Sequence, residues 1–379
     1  MGRLGKHRAR GILILALVLF VVGVSAARFA PESPTGLEVY PSASLTRRTW
    51  LSQYNPALKG TAGDTPVLVF EGALPGGTML VLGGTHADEP AGAAAALVIA
   101  ENVSPEQGRL IVIPYANASG FSHTLPQEGH PSHYTLDTPG GPRRIPFGSR
   151  LTNPVHQWPD PTVYIEKVQR QKLAGTESRN LNRAYPGEEN GSLTAKVAYA
   201  ITRLIVDEGV DVAVDLHESS PEYPVNNAIV AHDRAMDLAA IAAVELEYAG
   251  VSINIEPSPV NLRGLSHREW GDNTDTLAVL LESPNPSQGR LRGTTDERLV
   301  VEGIDPMYLK ASLRGRLYVP YTEEGAPLAM RVGRHVASVE ALAWSHTMLS
   351  PDRGIVLGGL PTYSELLENG VGAYLKPSR

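Results

Sequence analysis

The chain predicts an α/β fold, three layers deep, with a mixed and mostly parallel central sheet flanked by helices. Three observations carry the prediction. Short β-rich apolar runs recur between Thr65 and Glu282, helical stretches separate many of them, and polar residues able to do chemistry stand where apolar runs end. Strand, helix, strand is the opening of an α/β sheet, and open sheets of this kind gather ligands at strand ends.

The elements follow in order. "TPVLVFEG" (65–72) and "GTMLVLGG" (77–84) are two strands separated by "ALPG", a hairpin-like signal. "DEPAGAAAALVIAEN" (88–102) is alanine-rich, with acids and a proline at its start, hence a helix. "GRLIVIPYAN" (108–117) is the next strand. Residues 118–180 break the rhythm and read as a long loop insertion rich in Pro, Gly and His. Order resumes with a helix at 192–209 starting on a serine cap and strands at 210–218, 226–232, 251–256 and 274–282. A helix covers 234–250. Two more helical regions fill the tail, the first interrupted by Pro306. There is no internal repeat and no linker to a second domain.

The N-terminus has a basic head (Arg3, Lys6, Arg8, Arg10) and an uninterrupted apolar run from Gly11 to about Val24. Val24-Ser25-Ala26 fits a small-x-small cleavage pattern, so residues 1–27 read as a signal peptide or, if uncleaved, as an N-terminal membrane anchor. Either puts the body outside the cytoplasm, periplasmic or extracellular. Residues 28–62 read as an N-terminal arm, and 63–379 as the functional domain. The 379 residues are 42% hydrophobic and contain no cysteine. Disulfides, thiolate metal sites and cysteine nucleophiles are thereby excluded, while a chain this long can bury a real core without them. A net charge of -7 without a basic stripe gives no electrostatic reason to expect nucleic acid as a partner.

"GGTHADEPAG" (83–92) sets His86 and Glu89 three apart where a strand ends and a helix begins. With one more histidine from elsewhere, this pair makes a three-ligand zinc set that leaves a coordination place open; alone, it is equally a helix-start histidine with a first-turn acid. "AVDLHES" places His217 at the end of another apolar strand, either as that third ligand or as a satisfied core histidine. Asp215, two residues earlier on the same strand face, is able to orient it. "LAVLLESPNP" places Glu282 after five apolar residues, where a carboxylate is costly to bury without a task, or simply solvated. "ESRNLNRAYPG" (177–187) crowds Arg179, Asn180, Asn182 and Arg183, a set suited to gripping a carboxylate or to a solvated turn.

Taken together, H-x-x-E, then N-L-N-R-x-Y-P-G, then D-L-H, then a strand-end glutamate resemble the zinc carboxypeptidase superfamily, in its succinylglutamate desuccinylase and aspartoacylase-like branch. The resemblance runs from about Thr65 to Gln288. It implies a zinc carboxypeptidase-like fold, one Zn2+ held by His86, Glu89 and His217, and Glu282 as general base. It also implies Asn182 and Arg183 as holders of a substrate carboxylate, with Arg179 polarising the carbonyl. Arg150, in "PFGSRLTNP", is the second candidate for that last role. Where the family commonly has Asp, this chain has Asn180.

These residues suit hydrolysis of an amide bond beside a free carboxylate, in an N-acyl amino acid or a peptide such as a cell-wall stem. Export favours peptides and the family branch favours deacylation. The alternative is a non-catalytic protein that keeps the fold and presents a metal or a peptide. A G-x-S-x-G elbow and a G-x-G-x-x-G fingerprint are both absent.

Overall fold

The computed structural model describes residues 3–29, 37–124 and 131–377. Helix α1 (Arg3–Phe29) contains a 20-residue stretch, His7–Ala26, of mean hydropathy 2.4, long and apolar enough to cross a bilayer. Then come strands β1 (Leu45–Trp50), β2 (Pro66–Glu71) and β3 (Leu74–Leu82), helix α2 (Pro90–Asn102) and β4 (Ser104–Ile113). Two small hairpins follow: β5 (His133–Thr138) with β6 (Gly141–Pro146), and β7 (Val163–Ile165) with β8 (Lys172–Ala174). Next are α3 (Leu193–Asp207), β9 (Val212–Ser219), β10 (Ala228–Ala231), α4 (Met236–Tyr248), β11 (Asn254–Pro257), α5 (Ser266–Asn273) and β12 (Leu277–Pro284). The tail holds α6 (Glu297–Glu302), α7 (Pro306–Ser312), α8 (Leu328–Leu349), β13 (Val356–Gly358) and α9 (Tyr363–Asn369).

Among the described residues, nine strands form one sheet in the order β1-β2-β4-β3-β9-β12-β10-β11, with β13 added against β4. Its centre, β4-β3-β9-β12, is parallel, while β2, β10 and β13 pair antiparallel at its margins. The mixed, mostly parallel fold class is met. Two local expectations are not. First, β2 and β3 are not a hairpin, because β4 lies between them, antiparallel to β2 (Leu68↔Val112) and parallel to β3 (Leu80↔Ile111). Met79 to Leu82 are fully buried on both faces, which marks a central strand needing a partner on each side. Second, the supposed arm of residues 28–62 supplies β1, antiparallel to β2 at the sheet edge.

Alternation divides each strand between two cores. Leu68, Met79, Val81, Val112, Val214 and Leu281 pack under α2, α4 and α8. Val69, Leu80, Leu82, Ile113, Ala213 and Ala278 pack with α3 and with Trp270 of α5. The result is three layers, helix, sheet, helix. The described residues of the 118–180 stretch hold more order than a patternless loop: Tyr134, Leu136, Ile145 and Phe147 are buried along the β5–β6 hairpin. Arg143 on β6 pins that hairpin to α2 through a buried ion pair with Glu101 at 2.8 Å.

Candidate metal centre

Three parallel strands deliver the site to one edge of the sheet. After β3 the chain turns through Gly83 and Gly84. Gly84 has φ +66°, and a Cβ there would meet the Phe121 ring and the Pro114 carbonyl at 2.9 Å, so glycine is required. The turn sets down His86 and then Glu89 at the start of α2. Glu89 occupies the N-cap position yet makes no cap bond. Instead, the amide of Ala91 in the first turn donates to Glu218 of β9 at 2.7 Å. A Cβ at Gly92 would lie 2.4 Å from the Leu216 carbonyl, so only glycine lets α2 sit this close to β9. Helix start and strand end are thereby locked together, which brings Glu89 to His217.

Candidate ligand atoms of His86, Glu89 and His217 all lie within 4.8 Å of one another, and all three residues are buried. His86 Nδ1 is 2.7 Å from Glu89 Oε1, and His217 Nδ1 is 2.8 Å from Oε2 of the same carboxylate. The outer nitrogens face acceptors. His86 Nε2 is 2.9 Å from Asn180 Oδ1, and His217 Nε2 is 2.9 Å from Asp215 Oδ2. Asp215 is braced in turn by Thr85 Oγ1 at 2.8 Å. An imidazole that donates from Nε2 has, when neutral, a lone pair at Nδ1. Two such lone pairs and a carboxylate aimed at one another repel unless protons or a metal cation stand between them. The donor set therefore fits zinc, whose protein ligands are imidazole nitrogen and carboxylate oxygen and whose histidines are held from the far ring nitrogen.

Burial, then the neighbouring Arg150, pulls His86 down to about 4, against the attraction of Glu89. Burial would also lower His217, but Asp215 and Glu89 outweigh it and hold this imidazole well above its ordinary range. Glu89 is resisted by burial and still held well below the usual carboxylate range by the two histidines. Across the sheet, Glu282 of β12 stands in register with His217 of β9. Its Oε2 is buried without a hydrogen-bond partner, and burial, reinforced by Glu89, pushes its carboxyl up to about 8.

Arg150 Nη1 donates to Glu89 Oε1 at 3.0 Å from a side chain 36% exposed, so it reaches the cluster from the solvent side. Gln288 donates to the same oxygen at 3.3 Å. Asn182 is buried, its Oδ1 accepting from the Ser266 amide at 2.8 Å. Arg183 is mostly covered, and burial together with Arg150 lowers its pKa.

Arg179 is not brought to the cluster. Its Nε and Nη2 donate to the Asp160 carboxylate at 2.7 and 2.9 Å, and its Nη1 to the Thr152 carbonyl at 2.7 Å. With its donors spent on the 152–160 segment, it ties the insertion to the turn Gly175–Arg179. Of the two arginines considered for the carbonyl-polarising role, Arg150 is the one hydrogen-bonded to the cluster. Trp270 is fully buried, edge-on to Tyr185 at 5.2 Å, and lines no opening. Tyr223 is 54% exposed. His133 lies on β5, bonded to Arg144 at 2.7 Å, and His130 lies outside the described residues.

Thr85 and Gln288 escaped the sequence reading. Thr85 was signalled by its place beside His86 in "GGTH", whereas Gln288 carried no signal, since it reaches Glu89 only through the turns after β12.

Fold and site thus define an α/β protein with a buried cluster of two histidines and one carboxylate, a set that could hold a metal ion, at the C-terminal edge of a parallel sheet centre. No protein-family model matches the chain. Among curated proteins it is similar to N-alpha-acetyl-L-2,4-diaminobutyric acid deacetylase of Halomonas elongata, 27% identical over 144 residues, which cover 38% of this chain and 28% of that protein. Its neighbours among solved structures are succinylglutamate desuccinylase/aspartoacylase proteins and metallo-carboxypeptidases. One is the succinylglutamate desuccinylase/aspartoacylase from Rhodobacter sphaeroides, 19% identical, covering 60% of this chain and 54% of that one, with a TM-score of 0.37. Another is a metallo-carboxypeptidase from Burkholderia cenocepacia, 10% identical, covering 81% and 66%, with a TM-score of 0.48. The chain therefore matches about a quarter of the curated relative's length and between half and two thirds of each of these solved chains.

Proposed function

We propose that this protein is an exported zinc-dependent hydrolase of an amide bond next to a free carboxylate, acting on an N-acyl amino acid or a short peptide. The observation that carries the reading is the convergence of two imidazole Nδ1 atoms on both oxygens of one buried carboxylate, beside a second carboxylate with an unpartnered oxygen. His86, Glu89 and His217 would hold the ion, which when bound lowers the pKa of its water to about 7 and polarises a carbonyl.

The chain's own groups do the rest. Glu282 takes the proton of the attacking water and passes it to the leaving nitrogen, the work of a general base and then a general acid. Glu89 is committed to the ion and is not free for that task. Arg150 faces the charge that develops on the carbonyl oxygen. Asn182 and Arg183 hold the substrate carboxylate, so that attack becomes effectively intramolecular. The apolar N-terminal helix, whether leader or anchor, supports a location outside the cytoplasm.

Metal analysis of the purified protein, paired with a chelator-reversible assay on N-acyl amino acids and short peptides, tests the reading. Near-stoichiometric zinc and turnover lost on chelation are expected. A zinc content near zero, with turnover unaffected by chelator, overturns it.

A further inference from the structure

Asn180, in place of a carboxylate, raises the question of how a neutral amide that is able to flip holds a metal ligand in one orientation. Its surroundings answer it. The atom of the Asn180 amide that lies 2.8 Å from Glu177 Oε2 must be the NH2, since a carboxylate only accepts. The other amide atom, 3.0 Å from the backbone N–H of Asn182, must be the oxygen. These two partners orient the amide independently, and the oxygen so placed is the one 2.9 Å from His86 Nε2. His86 must then carry its proton on Nε2, leaving Nδ1 for the cation. Asn180 is fully buried, so water offers no substitute for a lost partner.

We propose that Glu177 is a positioning residue for the metal site: its carboxylate locks the Asn180 amide, which in turn fixes the tautomer and ring orientation of His86. The proposal rests on the reading of His86, Glu89 and His217 as metal ligands. Glu177 touches no proposed ligand itself and reaches His86 through Asn180. Were it removed, the amide would retain only the Asn182 amide as an orienting contact and, once flipped, would present a donor to Nε2. The imidazole would then take its proton on Nδ1 and lose its lone pair toward the ion. Glu177 also lies 3.8 Å from Arg183 Nε, so one carboxylate stands beside both the metal ligand's support and the substrate-holding arginine.

The test is zinc affinity, measured on the full chain by competition with a chromophoric chelator, with H86A as reference and the melting temperature of each metal-free variant as a check of folding. E177A is expected to weaken zinc binding about 10–100-fold, the usual cost of losing an outer-shell partner. E177Q keeps an acceptor oxygen for the Asn180 NH2 and is expected to stay near wild type. N180A should weaken zinc as E177A does, and E177A/N180A no further than N180A. Wild-type affinity in E177A overturns the proposal, as does E177Q binding as weakly as E177A, or losses that multiply in the double variant. If wild type binds zinc no better than H86A, the metal reading itself fails and takes this one with it.

Discussion

Two arginines, Arg150 and Arg179, offered themselves for one role, and replacing each by alanine pulls them apart. Arg150 meets the cluster through one bond of 3.0 Å to Glu89 and is 36% exposed. Its removal leaves little buried volume unfilled, so stability should hardly change. Losing a donor to a developing oxyanion costs about 3 kcal/mol of barrier, roughly a 100-fold loss in kcat/KM. Arg179 makes three bonds, two of them to a carboxylate. Each charged bond is worth about 1.5–3 kcal/mol when buried, but Asp160 is partly exposed, which reduces the sum to about 2–4 kcal/mol. Arg179→Ala should therefore lower the melting temperature by roughly 5 °C while any turnover of the folded protein below it stays as in wild type. The assay is kcat/KM on an N-acyl amino acid or peptide substrate, read beside zinc content and thermal melting for each variant. An Arg179→Ala protein that melts like wild type but has lost turnover, or an Arg150→Ala protein with full turnover, refutes the reasoning.

Glu282→Gln should cost about 10²–10⁴ in turnover, the usual contribution of a general base, with zinc content unchanged; loss of zinc would mean a ligand role instead. Chelation should destabilise the protein, since zinc at 100 times its dissociation constant adds about 2.7 kcal/mol; equal melting with and without chelator would contradict this. His267 and His335 are pushed down to about 3, chiefly by burial and then by His217. The unfolded chain binds these protons first as pH falls through the ordinary histidine range near 6.5, so their contribution is present above it and lost toward 3. In metal-free protein each should cost about 2 kcal/mol between pH 6.5 and 5. Urea unfolding of His335→Gln at both pH values should show a loss smaller by about that amount, and an identical loss would exclude the histidine as its source. Arg143→Met leaves the buried Glu101 without its ion-pair partner, held only by the Tyr40 and Lys376 amides, and denaturant unfolding should record a loss toward the lower end of about 3–5 kcal/mol.

What was legible in the sequence was whatever a strand or a helix start writes locally. The parallel centre announced itself because β3, β9 and β12 are apolar on both faces, and their terminal residues stood out against that background. His86, Glu89, His217 and Glu282 were singled out this way, and the first three do converge. Pairing was less legible. Nothing in "ALPG" says that β4 enters between β2 and β3, because partner choice is decided by burial from both sides. Side-chain direction off regular elements was least legible of all. Arg179 and Arg183 sit four apart on successive 3-10 turns, yet Arg179 turns to wherever the insertion places Asp160 while Arg183 lies beside Glu177. The hairpins of that insertion hid because their apolar residues are few and flanked by Pro and Gly.

The first turn of α2 takes its hydrogen-bond acceptor from Glu218, more than a hundred residues downstream. A fragment ending before Val212 would contain both His86 and Glu89 and still lack the acceptor and the second imidazole. On the proposed reading, ion capture is a property of the assembled sheet rather than of the motif, and peptides copied from residues 83–92 should bind zinc no better than any short stretch holding one histidine and two acids.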